Sequence, residues 1–214
     1  MSVIGSALPF FFGASKSSGP VIGAAYQGGF FAGYISHTAN GVATHALIVA
    51  PLASGYNLGL LEWKTSNTST AGTTSTFNGS VNSANMNDAN HPAAQYCEGL
   101  TIGGYSDWYL PALYELDIAY ENLKPNTDSN STSYGINAYS VPVRASNRTA
   151  GAPARTTVTA FQSGGAEAFV AGRHWSSTED SATTAWALHF SDGIQVNFTK
   201  GTYSYVRAFR KVAL

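Results

Sequence analysis

The chain is poor in charge, in cysteine and in long apolar runs. Asp, Glu, Lys and Arg together make up 11% of its 214 residues, and the formal net charge is −1. A nucleic-acid binder carries a basic stripe that neutralises phosphates, and a balance this sparse argues against one. The tightest group of cations, Arg207, Arg210 and Lys211, lies at the end of the chain and is expected to be a solvated terminus. Cys97 is the single cysteine, so no intramolecular disulfide forms and the fold rests on packing alone. A lone thiol of this kind is expected to be a small, inert core residue. No stretch approaches the ~20 apolar residues needed to cross a bilayer, so membrane insertion is not expected. The opening MSVIGSALPFFFGASKSSGP has an apolar run but no basic n-region, and Pro9 interrupts it. It does not read as a secretory leader, and synthesis and folding in the cytosol are expected.

Catalytic and metal-binding patterns are scarce as well. The five histidines, His37, His45, His91, His174 and His189, show neither HxH nor HExxH spacing, and no cysteines partner them. His45, at the start of an apolar run, reads as structural. Glu179 and Asp180 offer the oxygen ligands that calcium takes, but a solvated loop tip is the expected state. Asp107 lacks a second carboxylate at a catalytic spacing and is expected to brace the turn it sits in. No nucleophile elbow, P-loop or dinucleotide fingerprint occurs. No catalytic residue, metal or cofactor is therefore expected.

What the chain has is glycine (22 residues), aromatics (13%) and Ser, Thr and Asn throughout. This composition describes many short elements joined by tight turns, an α+β domain of short antiparallel sheets, two to three short helices and long polar loops. Residues 1–20 read as an arm without periodicity, and Leu8, Phe10, Phe11 and Phe12 are expected to dock onto another chain, because exposed apolar clusters favour burial. The domain proper is expected to span residues 21–214. GFFAGYIS, HALIVAP and LGLLEW are short apolar runs bounded by Gly, Pro, Asn and Ser, and predict strands. Residues 64–90 are polar and predict a surface loop. Pro92 and Gly99 bracket a short helix over 91–100, with Asn90 as its expected cap. Leu113, Leu116, Tyr120 and Leu123 line one face of a second helix over 111–123, with Glu115 and Glu121 expected to stay wet. A third helix is expected over 156–162. WSST, AWALHF, IQVNF and YVRAFRKV then predict four strands in a meander of hairpins.

Two kinds of position alternate between Arg173 and Arg210. Trp175, Ser176, Ser177, Thr178, Ala185, Trp186, Phe190, Gly193, Val206 and Arg207 are the vocabulary of a packed scaffold. His174, Asp180, Thr183, His189, Ser191, Gln195, Asn197, Thr199, Tyr203 and Tyr205 are short or amphipathic polar side chains suited to display, since Tyr supplies contact area at low entropic cost. Strand parity puts Tyr203 and Tyr205 on one face, with Gln195, Asn197 and Thr199 expected nearby across a hairpin.

GGYSDWYLPALYEL, HWSSTE, the AW…F..G segment and the closing YVRAFR resemble the Lcl C-terminal domain family, and GGFFAGYIS, HALIVAP and LEW fall in the family's order. The resemblance implies a C-type-lectin-like fold. The version carrying HPAAQYCEGLTIGGYSDWYLP and FQSGGAEAF is similar to phage tail-fibre or tropism proteins, some of them diversified by retroelements. It implies a non-enzymatic virion protein at the tail that binds a host-surface protein or glycan, contacts other tail proteins and forms a homo-oligomer, with a trimer favoured. A baseplate or capsid-decoration role is the alternative it leaves. The calcium tripeptides and paired disulfides of vertebrate-type lectins are missing, which counts against calcium-dependent sugar binding.

Overall fold

The computed structural model describes residues 19–214, so the apolar arm residues Leu8, Phe10, Phe11 and Phe12 lie outside the described residues. The described chain is α+β, with two five-stranded, mainly antiparallel sheets and few helices. The first sheet holds β1 (Ala25–Tyr26), β2 (Gly29–Ile35), β3 (His45–Val49) and β10 (Phe209–Ala213) in that order, with β5 (Ser140–Val141) also paired to β2. The second runs β4 (Tyr56–Leu61), β9 (Ser204–Arg207), β6 (Arg173–Glu179), β7 (Thr184–His189), β8 (Gln195–Thr199). Four α-helices accompany them: α1 (Leu52–Gly55), α2 (Gly79–Ala84), α3 (Pro92–Glu98) and α4 (Leu113–Leu123).

The three N-terminal apolar runs are β2, β3 and β4, as their patterning predicts. In α4 the residues Leu113, Leu116, Tyr120 and Leu123 are all buried. They join Leu47, Val49, Phe169, Leu188 and Phe190 in one core, while Trp63, Trp108, Trp175, Met86 and Cys97 form a second. Burial drives the Cys97 thiol well above its usual range, which keeps it protonated. Pro92 opens α3 and Gly99 closes it, but the residue at the N-terminal boundary is His91 rather than Asn90.

Five expectations need correction, the first being that residues 64–90 form a surface loop: they carry α2 and bury Thr73, Asn82, Ser83 and Met86. YVRAFRKV is two strands, because the chain crosses between sheets at Ala208. The Ala208 N–H donates to the Gly55 carbonyl and its own carbonyl accepts from Ala50 N–H, so this residue pairs with the α1 segment and ends β9. Consequently β9 does not form a hairpin with β8: it pairs in parallel with β6 through His174 and Tyr205, and antiparallel with β4. The third helix is only a 3₁₀ turn, Thr159–Phe161; the β-branched run Thr156, Thr157, Val158 and Thr159 is a poor helix former. Glu115 is fully buried instead of wet. Its carboxylate accepts from Ala112 N–H (2.8 Å), Gly79 N–H (3.2 Å) and Tyr109 OH (2.9 Å). These bonds tie the polar 64–90 segment to the start of α4, where Leu113 N–H donates to Thr178 Oγ1 and Tyr114 N–H to the Thr76 carbonyl.

Candidate functional site

The second sheet sorts the polar residues of the C-terminal block into those that hold it together and those that face outward. β6 lies inside the sheet between β9 and β7, and every residue from His174 to Glu179 is buried. Ser176 Oγ donates to the Trp186 carbonyl (2.7 Å), and the Ser176 carbonyl accepts from Trp63 Nε1 (2.8 Å). Thr178 Oγ1 donates to the Ser75 carbonyl (2.9 Å). Glu179 accepts from Lys200 Nζ (2.7 Å), Thr73 Oγ1 (2.8 Å) and Thr70 N–H (3.0 Å). Burial opposes the charge on Glu179, but these bonds prevail and hold its carboxyl below the usual range. It is therefore a buried ion pair, and only Asp180 occupies the exposed loop tip.

His174 is not displayed. It is completely buried, with Nδ1–H donating to the Gly172 carbonyl (3.0 Å) and Nε2 accepting from Tyr56 OH (2.6 Å). Burial pushes its pKa down to about 3, so it stays neutral. Its polar character among the alternating positions put it on display, but its side of the sheet is covered: Phe169, Phe190 and Tyr205 surround the ring. Gln195 is likewise mostly buried, its Nε2 donating to Asp117 Oδ1 (3.0 Å).

The other sequence-predicted residues fall into separate groups. Asp180, Thr183, Asn197, Thr199 and Tyr203 are exposed, and Tyr203 retains 56% of its surface. Asp180 accepts from Asn197 Nδ2 and Thr184 Oγ1, both at 2.7 Å, which joins the β6–β7 loop to the edge strand β8. Thr199 lies across from Thr184 and bonds Thr202 (2.8 Å). His189 is half-buried against Phe198, over which the Arg173 guanidinium stacks at 4.0 Å; Arg173 Nη2 also donates to the Tyr203 carbonyl (2.9 Å). Ser191 sits half-buried at the β7–β8 turn. Tyr205 is half-buried beside Tyr56 and His174 on β9, with β6 and β7 between it and β8, so it does not adjoin Gln195, Asn197 and Thr199 as a hairpin would have placed it.

Of the residues assigned to the scaffold, Trp175, Val206 and Phe190 are fully buried, but Trp186 is only half-buried. It borders a cleft with Tyr134, Gln195, Val196, Asn197 and Phe198. Of the C-terminal cations, Arg207 and Arg210 are buried and Lys211 is half-buried, rather than all three being solvated. Arg207 is enclosed, donating to the Ala50 carbonyl (2.9 Å) and to Glu167 Oε2 (2.8 Å), with its guanidinium over Tyr56, Phe161 and Phe169. Arg210 pairs with Asp107 and stacks over Tyr105 at 3.7 Å. Asp107 thus braces the GGYSDW turn by gripping the last strand. Lys211 Nζ donates to Asn78 Oδ1 (2.6 Å).

Sequence reasoning missed a hub around Asp117. This fully buried carboxylate pairs with Arg144 and Arg148 and accepts from Asn137 Nδ2 (2.9 Å) as well as from Gln195. Arg148 also donates to the Gly193 carbonyl (3.0 Å), and its own N–H donates to the Tyr134 carbonyl (2.8 Å). The aperiodic 124–154 segment is anchored in this way beside β8. The spacing of Arg144 and Arg148 was a usable signal, but nothing in the sequence pointed it at Asp117.

Among the described residues no group of three or more His, Cys, Asp or Glu side chains is placed to hold a metal ion. No helix of the described residues is long and apolar enough to cross a membrane. No curated protein matches the chain. The family model of the Lcl C-terminal domain matches residues 57–210, from β4 to the start of β10, taking in the Asp107–Arg210 clasp and all of the second sheet but Tyr56. The chain belongs to the Lcl C-terminal domain family.

Proposed function

We propose that this protein is a non-enzymatic receptor-binding component of a phage tail, with a C-type-lectin-like domain whose C-terminal face recognises a host-surface protein or glycan. One observation carries the reading: the exposed side chains of 180–203 lie on and around a sheet whose inner strand β6 locks its own polar residues inside. Asp180, Thr183, Asn197, Thr199 and Tyr203 are exposed to a ligand, while His174 and Ser176 to Glu179 hold the frame. Rigid elements that present adaptable polar groups and an aromatic anchor are the pattern of recognition surfaces. Membership of the family supports a tropism role through the resemblance of the motifs. In this reading the arm attaches to other tail proteins, the domain is displayed as a homotrimer, and avidity turns a modest single-site affinity into firm adsorption. The protein is made in the host cytoplasm and works on the virion.

The test is adsorption. Purified protein should bind cells of the phage's host and compete with phage attachment, and the Tyr203→Ala and Asn197→Ala variants should do both less well while melting like the parent. Protein that neither adsorbs nor competes, yet decorates the particle away from the tail tip, would favour the baseplate or capsid-decoration role.

A further inference from the structure

The cleft beside β8 has the chemistry of a site for an uncharged sugar. Its volume is about 360 Å³, and its lining is Tyr134, Trp186, Gln195, Val196, Asn197 and Phe198. That size falls at the lower end of small-ligand sites, enough for a short stretch of a glycan rather than a protein loop. No lining residue is charged. The amide nitrogens of Gln195 and Asn197 donate to Asp117 (3.0 Å) and Asp180 (2.7 Å), which leaves their carbonyl oxygens as acceptors for a ligand's hydroxyls. Three aromatic side chains, Tyr134, Trp186 and Phe198, share the lining with them. A pyranose ring presents a face of C–H groups with positive partial charge, which suits the negative face of an indole or phenol ring. A charged ligand would find no counter-ion in the lining and would lose hydration on entry.

The walls are also built in advance. Tyr134 comes from the aperiodic 124–154 segment, and its carbonyl is held by the N–H of Arg148 (2.8 Å). Arg148 and Gln195 are both fixed by the buried Asp117 carboxylate. The Trp186 carbonyl accepts from Ser176 Oγ (2.7 Å) on the neighbouring strand. One hub therefore sets both sides of the cleft, which lowers the ordering cost of binding.

We infer that Trp186, Tyr134, Gln195 and Asn197 form a subsite for an uncharged pyranose of a host-surface glycan, with the Trp186 indole as its stacking platform. This rests on the receptor-binding reading and narrows it to glycan over protein.

The fluorescence of the protein makes the subsite directly testable. Trp63, Trp108 and Trp175 are fully buried, so among the 4 tryptophans quenching by acrylamide reports on Trp186. The full chain is first applied to an array carrying neutral hexopyranose oligosaccharides and anionic glycans. A bound neutral oligosaccharide is then titrated in solution with acrylamide present. The expected result is binding to at least one neutral glycan, unaffected by about 0.5 M salt, which cuts the Debye length to roughly half its physiological value but does not act on an uncharged ligand. Trp186 should be protected on saturation, and Tyr134→Ala and Trp186→Phe should each weaken binding by about tenfold or more, the scale of an anchor's loss. Asn197→Ala, at an exposed position, is the companion variant whose fold is least at risk. The inference is overturned if no neutral glycan is retained, if only anionic glycans bind and salt removes them, or if Tyr134→Ala and Trp186→Phe bind as the parent does. Adsorption to host cells separates the two levels: cell binding without neutral-glycan binding sinks the subsite alone, whereas loss of both sinks the receptor-binding reading too.

Discussion

β6 and β8 are drawn from the same vocabulary of Ser, Thr, Asn, Gln and aromatics, yet they do opposite work. β6 has a neighbour on each side, and all but its first residue are buried; β8 is the edge of the sheet, and its burial alternates. In β6 a hydroxyl must satisfy a buried partner, as Ser176 and Thr178 do, because an unpaired polar group inside a protein is costly. In β8 the same kinds of side chain reach the surface at Asn197 and Thr199, where their bonds run to the exposed Asp180 and to Thr202 and both stay open to a ligand. Residue type does not separate frame from display here. Position in the sheet does.

The comparison can be broken most sharply in the frame. Trp175→Ala should cost about 3–5 kcal/mol of stability, since the side chain is fully buried and its Nε1 donates to the Leu61 and Thr202 carbonyls (2.9 and 3.2 Å). A loss below about 1 kcal/mol in denaturant melts would place it outside the core. Asp117→Ala should cost about 3 kcal/mol, because it removes the fully buried counter-charge of Arg144 and Arg148 and leaves them only the partly exposed Glu121. It should also loosen the 124–154 segment, visible as faster amide exchange at Asn137 and Arg148, whereas unchanged exchange would mean that the hub does not hold that segment.

The next effect depends on pH. His174 has its pKa pushed from 6.5 down to about 3 by burial. The unfolded chain therefore binds a proton in that window and the native one does not, so stability is full above pH 6.5 and falls as the pH drops toward 3. Replacing His174 with Gln should flatten the stability curve between pH 6.5 and 4. An equal slope in the variant would assign the acid sensitivity to other groups, among them His37, whose pKa burial lowers to about 4. Smallest of all should be the display substitutions: Tyr203→Ala and Thr199→Ala should shift stability by no more than about 0.5 kcal/mol, as exposed positions do.

Much of the fold was legible in the sequence. The N-terminal strands and the buried face of α4 follow from short-period patterning, and Pro92 and Gly99 marked α3. The site was legible only in part. Asp180, Thr183, Asn197, Thr199 and Tyr203 are exposed as their chemistry suggested, but His174 and Gln195 are not. Parity along a strand says which residues share a face; it does not say whether that face is covered, and here α4 and the Phe169 segment cover it. The sequence reading places Arg207 both in the scaffold and in a solvated terminus, and the scaffold reading is the one that holds, through Glu167 and Ala50. Arg210 was misread, because nothing in the local sequence shows its long-range pair with Asp107. Tyr134 escaped notice because an aperiodic loop carries no signal for where it folds back.

The division between frame and display is tested most directly by an alanine scan from Arg173 to Tyr205 with two readouts for each variant, thermal midpoint and adsorption to host cells. Two groups that scarcely overlap are predicted. Trp175, Ser176, Thr178 and Glu179 variants melt early, and variants at Asp180, Asn197, Thr199 and Tyr203 melt like the parent but include those that lose adsorption, by as much as about 2 kcal/mol of binding at an anchor position. Exposed-position variants that all adsorb like the parent would contradict the account, and so would exposed-position variants that melt as early as those of β6.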